Sequence, residues 1–395
     1  MSVTVQSDVN LNTINLVGTV IAVQAYFYQV RLGSVQADSK FNSASTHSTL
    51  LCTRRTRLKK LGQKVMVGDR VVVEEPDWAD RRGAIAEVLP RSTELDRPPI
   101  ANVTQVLLLF SVAEPDLDAY ALSRFLVKAE STGLRVRLCL NKCELVEPET
   151  LEQWHKRLSH WGYQPIFLSV HQRTEYQLSL SGTSTITSEL SQTLPKSLKL
   201  LQQLQQQTTV ISVPSGVGKS SLINWLIPQI DLRVGAVSGK LGRGRHTTRH
   251  VELFELPTGG LLADSPGFNQ HILECDPSVL VSYFPEARQR LAQATCQFSD
   301  CLHRDEPNCA VRGDWERYEH YLDFLEEVVN RQEALQQKPD AESNLKSKAK
   351  SGGHRQQEPK LEFKKYRRSS RRSEHQDLQN LYDEMVNTEE VIDEV

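Results

Sequence analysis

Val213-Pro-Ser-Gly-Val-Gly-Lys-Ser-Ser-Leu-Ile-Asn224 follows a β-branched run, Thr208-Thr-Val-Ile-Ser212, and leads into Leu222, Ile223 and Leu226 at helical spacing. A strand, a tight glycine turn and a helix opening, in that order, frame a phosphate-binding loop. The backbone N–H groups from Gly216 to Lys219 can converge inside such a loop, and the helix N-terminus adds partial positive charge. The residues expected to surround the phosphates are Val213, Pro214, Ser215, Gly216, Val217, Gly218, Lys219, Ser220 and Ser221. Lys219 would act as a point charge on the β/γ-phosphates and the Ser220 hydroxyl as a Mg²⁺ ligand. The competing explanation, an ordinary glycine turn, does not account for strand and helix on either side. One position departs from G-x-x-x-x-G-K-[ST]: Val213 stands where the consensus has glycine. A β-branched residue resists positive φ, so this position is expected to be extended or the loop distorted.

The chain has 395 residues, enough for two or three domains, and a formal charge of −2 that averages over strong local asymmetry. Nothing approaches the length of a transmembrane run, and Met1 to Asn12 lacks a basic or apolar signal region. A soluble, unprocessed, cytoplasmic protein is expected, with no membrane partner. Seven cysteines, three of them between Cys296 and Cys309, fit a reducing compartment with a metal site better than a disulfide framework.

Ile14 to Leu32 alternates in β fashion, and further strands are expected at Thr49–Thr53, Lys64–Val67, Asp69–Glu74 and Gly83–Leu89. Five short strands over about residues 14–92 suggest a small barrel of the OB type. Arg54, Arg55, Arg57, Lys59 and Lys60 (with Lys64 beyond) cluster without an intervening acid. On a barrel loop they would form a footprint for a nucleic-acid backbone, the alternative being a solvated basic loop.

Arg91 to Pro99 is charged and proline-bearing, a domain boundary. Beyond it the period changes. Gln105–Ser111 and Arg135–Leu140 read as buried parallel strands around a helix with Leu122, Phe125, Leu126 and Ala129, for which Asp116 is a candidate N-cap. Asn141-Lys142-Cys143-Glu144 follows the second strand. P-loop GTPases place Asn-Lys-x-Asp at such a strand end to read guanine. Glu144 keeps the two acceptor oxygens of the usual aspartate but moves them by one methylene. A strand at Pro165–Val170 would bring Ser169 beside the base, and Gln172 to Gln207 reads as a loop plus a helix with Leu198, Leu201 and Leu204.

After the phosphate loop, Gly242-Arg-Gly-Arg-His-Thr-Thr-Arg249 is a flexible basic loop. A strand at Val251–Leu256 and a turn at Thr258–Gly260 precede Gly260-Leu-Leu-Ala-Asp264 and Ser-Pro-Gly267. Asp264 would hold Mg²⁺ through water together with Ser220 and Thr248, and the Gly267 N–H would bond the γ-phosphate. Thr247 or Thr248 would close over the metal. Phe268 occupies the place where other GTPases carry a water-orienting glutamine, which leaves His246 as the candidate catalytic residue, against the alternative of an exposed loop histidine. The base-reading motif precedes Lys219, so the chain is circularly permuted. A site built from loops on one sheet edge tolerates that.

The permuted order, together with S-G-V-G-K-S-S-L-I-N, G-R-H-T-T-R-H and D-S-P-G-F-N-Q, resembles the RsgA (YjeQ) family of ribosome-small-subunit-dependent GTPases. The resemblance covers about residues 14–330, including R-P-P-I-A-N before the nucleotide domain. It implies an OB-fold β-barrel (14–92), a circularly permuted α/β P-loop GTPase domain (100–275) and a helical zinc-binding domain (276–330). It also implies GTP hydrolysis stimulated by the small ribosomal subunit during late maturation of that subunit. A rival reading is an rRNA-binding assembly factor that uses GTP or GDP only as a conformational ligand.

Cys296-x4-Cys301-x-His303-x5-Cys309 offers three thiolates and an imidazole, a closed tetrahedral set for one structural Zn²⁺. The helix after it carries Trp315, Tyr318, Leu322, Leu325 and Val329 as a core stripe, and Cys52, Cys139, Cys143 and Cys275 read as reduced spectators. From 331 to 395 a charged, disordered tail is expected. Residues 346–372 hold eleven Lys/Arg and two acids, and 373–395 hold eight acids and no Lys or Arg. The basic tract could grip rRNA or simply be solvated. No coiled-coil pattern suggests anything but a monomer.

Overall fold

The computed structural model describes residues 16–33, 49–96, 98–178, 184–187, 198–230, 251–264, 272–337, 345–349 and 355–359. By contacts, the chain divides into Met1–Asn330 and Arg331–Val395.

In the first unit, β1 (Leu16–Gln24), β2 (Phe27–Leu32), β3 (Thr49–Arg54), β4 (Arg70–Asp77) and β5 (Arg82–Val88) form a barrel in the order β1-β2-β3-β5-β4, closed by β4 pairing with β1. Alternation puts Val20, Tyr28, Val30, Leu50, Val71, Val73 and Ile85 inside. The expected five strands are present but divided differently. Ile14 to Leu32 breaks at Ala25-Tyr26, where Ala25 takes φ 52°, into two strands. Lys64–Val67 makes only an isolated bridge from Val67 to Ile100, because the buried Asp69 carboxylate accepts the Met66 N–H at 2.8 Å and turns the chain there. Asp69 is held in turn by Arg91 Nε at 2.7 Å. The basic segment folds as a short helix, α1 (Thr56–Lys60).

A two-stranded ribbon, β6 (Glu94–Asp96) with β7 (Pro99–Ala101), leads into the nucleotide domain. There β8 (Gln105–Ser111), α2 (Ala119–Glu130), β9 (Arg135–Asn141), α3 (Pro148–His160) and β10 (Ile166–Ser169) precede β11 (Thr174–Leu178), β12 (Ser184–Thr187), α4 (Lys199–Leu204), β13 (Thr208–Ser212), α5 (Lys219–Leu226), β14 (Glu252–Glu255) and β15 (Leu261–Asp264). The sheet order is β12-β11-β10-β9-β8-β13-β15-β14, with β10, β9, β8, β13 and β15 parallel. The apolar runs are buried on both faces, as such strands must be. Val106, Leu108 and Phe110 meet α2 and α3, while Leu107 and Leu109 meet α4 and α5. Two details differ from the sequence reading. The N-cap of α2 is Asp118, which accepts the Ala121 N–H at 2.6 Å, rather than Asp116. Residues after Gln172 include strands β11 and β12 on the sheet edge as well as the helix.

The barrel meets this sheet where Ala22 of β1 pairs with Glu252 of β14, supported by an ion pair between Arg31 and Glu255. A third core joins α6 (Pro277–Leu280), α7 (Pro285–Gln293) and α8 (Tyr318–Gln337) through Phe284, Val311, Tyr321, Phe324, Leu325 and Val328, with Val127 of α2. The buried stripe of α8 lies on Tyr321, Phe324, Leu325 and Val328, with Tyr318, Leu322 and Val329 flanking it and Trp315 preceding the helix. Order also extends past residue 331: α8 runs to Gln337, and β16 (Leu345–Ala349) pairs with β17 (Arg355–Pro359) as a separate hairpin.

Candidate nucleotide site and metal centre

The carboxyl ends of β13, β15, β8 and β9 share one sheet edge, with Ile211 beside Asp264, Ser212 beside Leu108 and Ser111 beside Asn141. That edge is where open α/β sheets bind ligands. Asn141 and the phosphate loop meet there although 76 positions separate Asn141 from Val217.

The turn after β13 uses Gly216 at φ 84° and Gly218 at φ 98°. At Gly218 a Cβ would also lie 2.7 Å from Asn141 Nδ2, so glycine is required twice over. Asn141, 3% exposed, donates from Nδ2 to the Val217 carbonyl at 2.9 Å and accepts the Val170 N–H on Oδ1 at 3.0 Å. One side chain therefore pins the phosphate loop to the end of β10. Val213 is neither left-handed nor distorting: it lies outside the positive-φ residues and is buried against the core of α4 and α5. Burying such a side chain stabilises the fold by about 1.5–3 kcal/mol, which accounts for a residue that is not glycine. Pro214, Ser215 and Val217 complete the turn, with Val217 buried beneath it and Ser215 exposed. Lys219, Ser220 and Ser221 form the first turn of α5.

Lys142 takes φ 62° and donates from Nζ to the Glu114 carbonyl. Cys143 and Glu144 lie in a 3₁₀ turn, Cys143–Leu145. The Cys143 thiol is buried 3.3 Å from the Leu140 carbonyl, and burial pushes its pKa up, so it is a packing group. Glu144 Oε2 is buried with no hydrogen-bond partner. A desolvated carboxylate oxygen of this kind is costly unless a donor reaches it, and N–H groups of a bound base are such donors. Ser169 is buried at the end of β10, where its Oγ accepts the Gln172 N–H at 3.0 Å. Asp264 ends β15 beside the phosphate loop. His246, Thr247, Thr248, Gly267 and Phe268 lie outside the described residues.

The ligand atoms of Cys296, Cys301, His303 and Cys309 all lie within 4.8 Å of one another. His303 Nδ1 is 3.4, 3.5 and 3.2 Å from the sulfurs of Cys296, Cys301 and Cys309, and Cys296 Sγ is 3.9 Å from Cys309 Sγ. Tetrahedral zinc bond lengths imply separations of about 3.6 Å for N···S and about 3.8 Å for S···S, so the donor set fits that ion. Burial pushes the Cys301 thiol up to about 12 and depresses the His303 imidazole. A cation entering there displaces a thiol proton and finds the imidazole already neutral.

A family description for the RsgA GTPase matches residues 88–187 and 176–274. A protein of Trichormus variabilis named small ribosomal subunit biogenesis GTPase RsgA is 61% identical over 381 residues, spanning 93% of this chain and 97% of its own. The chain belongs to the RsgA GTPase family. Among solved structures, YloQ, described as a circularly permuted GTPase, is similar with a TM-score of 0.59 and 30% identity, over 80% of this chain and 96% of its own. YjeQ from Thermotoga maritima is similar with a TM-score of 0.61 and 26% identity, over 80% of this chain and all of its own. The strand order accommodates the permutation: β8, β9 and β10 come first in the chain, yet β8 lies beside the later β13 in the order β10-β9-β8-β13.

As an RsgA-family GTPase, the chain also relies on groups the sequence reading passed over. Glu306 accepts the N–H groups of Leu302 at 2.7 Å, Arg304 at 2.8 Å and Asp305 at 3.1 Å. Burial opposes its charge, but these bonds win and hold its pKa at about 2, so an ionised carboxylate shapes the metal loop. The hydroxyls of Tyr318 and Tyr321 donate to the carbonyls of His303 and Leu302 at 2.8 and 2.6 Å, tying that loop to α8. The buried Arg317 makes a bidentate pair with Glu286 at 2.6 and 2.5 Å and lies over Trp161 and Phe284. Glu316 accepts from Trp161 Nε1 at 2.8 Å and pairs with Arg157. Across that seam, a Cβ on Gly162 would sit 2.7 Å from Pro285 Cβ. An acid inside a Cys/His loop was a usable signal for Glu306, whereas nothing local distinguishes Arg317 from a surface arginine.

The basic cluster divides. Arg54 donates to the Gln63 carbonyl at 2.8 Å, and Arg55 pairs with Glu75 at 2.7 Å and Glu74 at 3.3 Å. Arg57, Lys59 and Lys60 stand exposed on α1.

Proposed function

We propose that this chain is a GTPase that works in small ribosomal subunit biogenesis, binding the subunit and hydrolysing GTP when the subunit stimulates it. Asn141, Lys142, Cys143 and Glu144 form the guanine pocket, and residues 213–221 cradle the phosphates. Ser220, Thr248 and Asp264 would hold Mg²⁺, which would supply positive charge beside the developing phosphate charge. Gly267 bonds the γ-phosphate, Thr247 and Thr248 close the site, and His246 positions the attacking water. The Cys296, Cys301, His303 and Cys309 set holds one structural Zn²⁺, a redox-inert closed site that staples the C-terminal module.

The observation that carries this reading is the Asn141 side chain. It fastens the phosphate loop to the base-reading strand end, with the unpartnered Glu144 oxygen in the 3₁₀ turn that follows Lys142. The domains are read as a barrel (14–92) for rRNA, a GTPase domain (100–275), a zinc module (276–330) and a charged tail (331–395). The protein is taken to act as a monomer in the cytoplasm. Among the described residues no helix is long and apolar enough to cross a membrane.

The test is phosphate release from GTP and from ATP, with and without purified small ribosomal subunits, for the intact chain and Lys219→Ala. GTP-selective turnover that rises with subunits and falls at least about 100-fold in the variant is expected. Subunit binding without turnover would make the chain an RNA-binding factor that uses nucleotide only as a ligand.

A further inference from the structure

Residues 112–117 join β8 to α2 beside the end of β9, at the edge of the candidate nucleotide site. Val112 and Leu117 pack into the core, which leaves Glu114, Pro115 and Asp116 exposed at the tip of the loop. Both ends are fixed. Ser111, 2% exposed, donates from Oγ to the Pro115 carbonyl at 2.7 Å, and the Val112 N–H donates to the Asn141 carbonyl at 3.0 Å. At the far end Asp118 caps α2, and α2 is held against α8 by Tyr120 on Phe324 and by Arg124 on Glu327. A loop closed by a buried hydroxyl and anchored on two packed elements has little freedom to move.

The tip reaches the base-reading strand end. Glu114 takes φ 51° and its carbonyl accepts the Lys142 ammonium, while Lys142 itself takes φ 62°. Left-handed backbone is costly for residues with a side chain, and it persists where the surroundings enforce it. On the Glu114 side the enforcing bond is the one from Ser111, which fixes the peptide group that follows. The tip also borders the phosphate loop, because a Cβ on Gly216 would lie at ordinary contact distance, 3.8 Å, from Pro115 Cδ.

The consequence falls on Lys142. In the guanine reading its methylene stem lies along the base. A lysine side chain is among the costliest to order, and a base that had to order it would bind more weakly for that reason. With Nζ held by the Glu114 carbonyl, the stem is ordered before the nucleotide arrives and the charge stays at the pocket rim. The acceptor is a main-chain oxygen, so its place depends on the conformation of the loop and not on the Glu114 carboxylate.

We propose that Ser111 is a positioning residue for nucleotide binding: it holds residues 112–117, whose Glu114 carbonyl holds Lys142 against the base and slows nucleotide release. The proposal rests on the guanine-nucleotide reading above and adds to it a further wall of the site and the residue that sets it.

The test is release of N-methylanthraniloyl-GDP from the full chain with Mg²⁺, chased by unlabelled GDP and followed by fluorescence. Ser111→Ala is expected to speed release about 2- to 12-fold, the net worth of one hydrogen bond. Lys142→Met, which keeps a stem and removes the ammonium, should speed release at least as much. Adding Ser111→Ala to Lys142→Met should change release no further, because Ser111 acts through Lys142; a serine with a merely structural role would add its effect in either background. Unchanged release from Ser111→Ala, or additive effects in the double variant, would overturn the proposal. So would Lys142→Met releasing the label at the parent rate, a result that does not depend on whether Ser111→Ala folds. A parent chain that holds GDP no better than Lys219→Ala would instead remove the nucleotide reading beneath the proposal, so the two failures are told apart.

Discussion

The candidate nucleotide site and the candidate metal centre are built in opposite ways. At the nucleotide site, Asn141 and Val217 come from distant parts of the chain and meet because β9 and β13 end at the same sheet edge. At the candidate metal centre all four candidate ligands fall between Cys296 and Cys309, and the short loop is itself the cluster. A sheet-built site survives cutting and rejoining of the chain, which is why a permuted GTPase is physically possible. A loop-built site has no such freedom; it is shaped from within by Glu306 and tied from outside by Tyr318 and Tyr321.

The largest effect should come from removing a metal ligand. Cys309→Ala is expected to abolish stoichiometric zinc, measured by elemental analysis, and to expose the core around Phe284 and Tyr321 to proteolysis. Structural zinc supplies on the order of 10 kcal/mol in small modules. If the two sites are as separate as their construction suggests, guanine-nucleotide binding persists in that variant. A parallel loss of GDP binding would mean that they share stability through the seam at Trp161 and Glu316.

Arg317→Met probes that seam directly. It leaves the Glu286 carboxylate buried without its partner, and breaking such a pair costs about 3–5 kcal/mol. A fall in the thermal midpoint, largely restored by adding Glu286→Leu, is the expected result. A smaller effect is expected inside the nucleotide site. Asn141→Ala removes the bonds to the buried Val217 carbonyl and Val170 N–H. The cost should be about 1–3 kcal/mol, seen as a lower urea midpoint with an unchanged slope.

The contrast in construction also explains what was legible in the sequence. The Cys296, Cys301, His303 and Cys309 cluster is close in sequence, and its coming together could be read from spacing alone. The phosphate loop, its flanking strand and helix, and Asn141 to Glu144 were legible as local motifs, and their order gave the permutation. What could not be read were contacts set by tertiary packing. Asp69 turning Lys64–Val67 away from a strand depends on Arg91 reaching back to it. The split at Ala25-Tyr26 depends on β2 pairing back on β1. Val213 looked anomalous because the consensus encodes backbone freedom, whereas here the side chain fills the core beside α5. Likewise Arg54 and Arg55 read as cations for a ligand, yet one is bonded to the Gln63 carbonyl and the other to two glutamates.

The central claim is that the loops after β9 and β13 form one guanine-nucleotide site. Calorimetric titration of GDP and ADP with Mg²⁺ into the intact chain and into Glu144→Ala tests it most directly. The account predicts GDP binding tighter than ADP by about 100-fold or more, and a collapse of that ratio in Glu144→Ala while phosphate-dependent binding remains. Equal affinity for GDP and ADP in the intact chain, or a ratio untouched by the substitution, would contradict it.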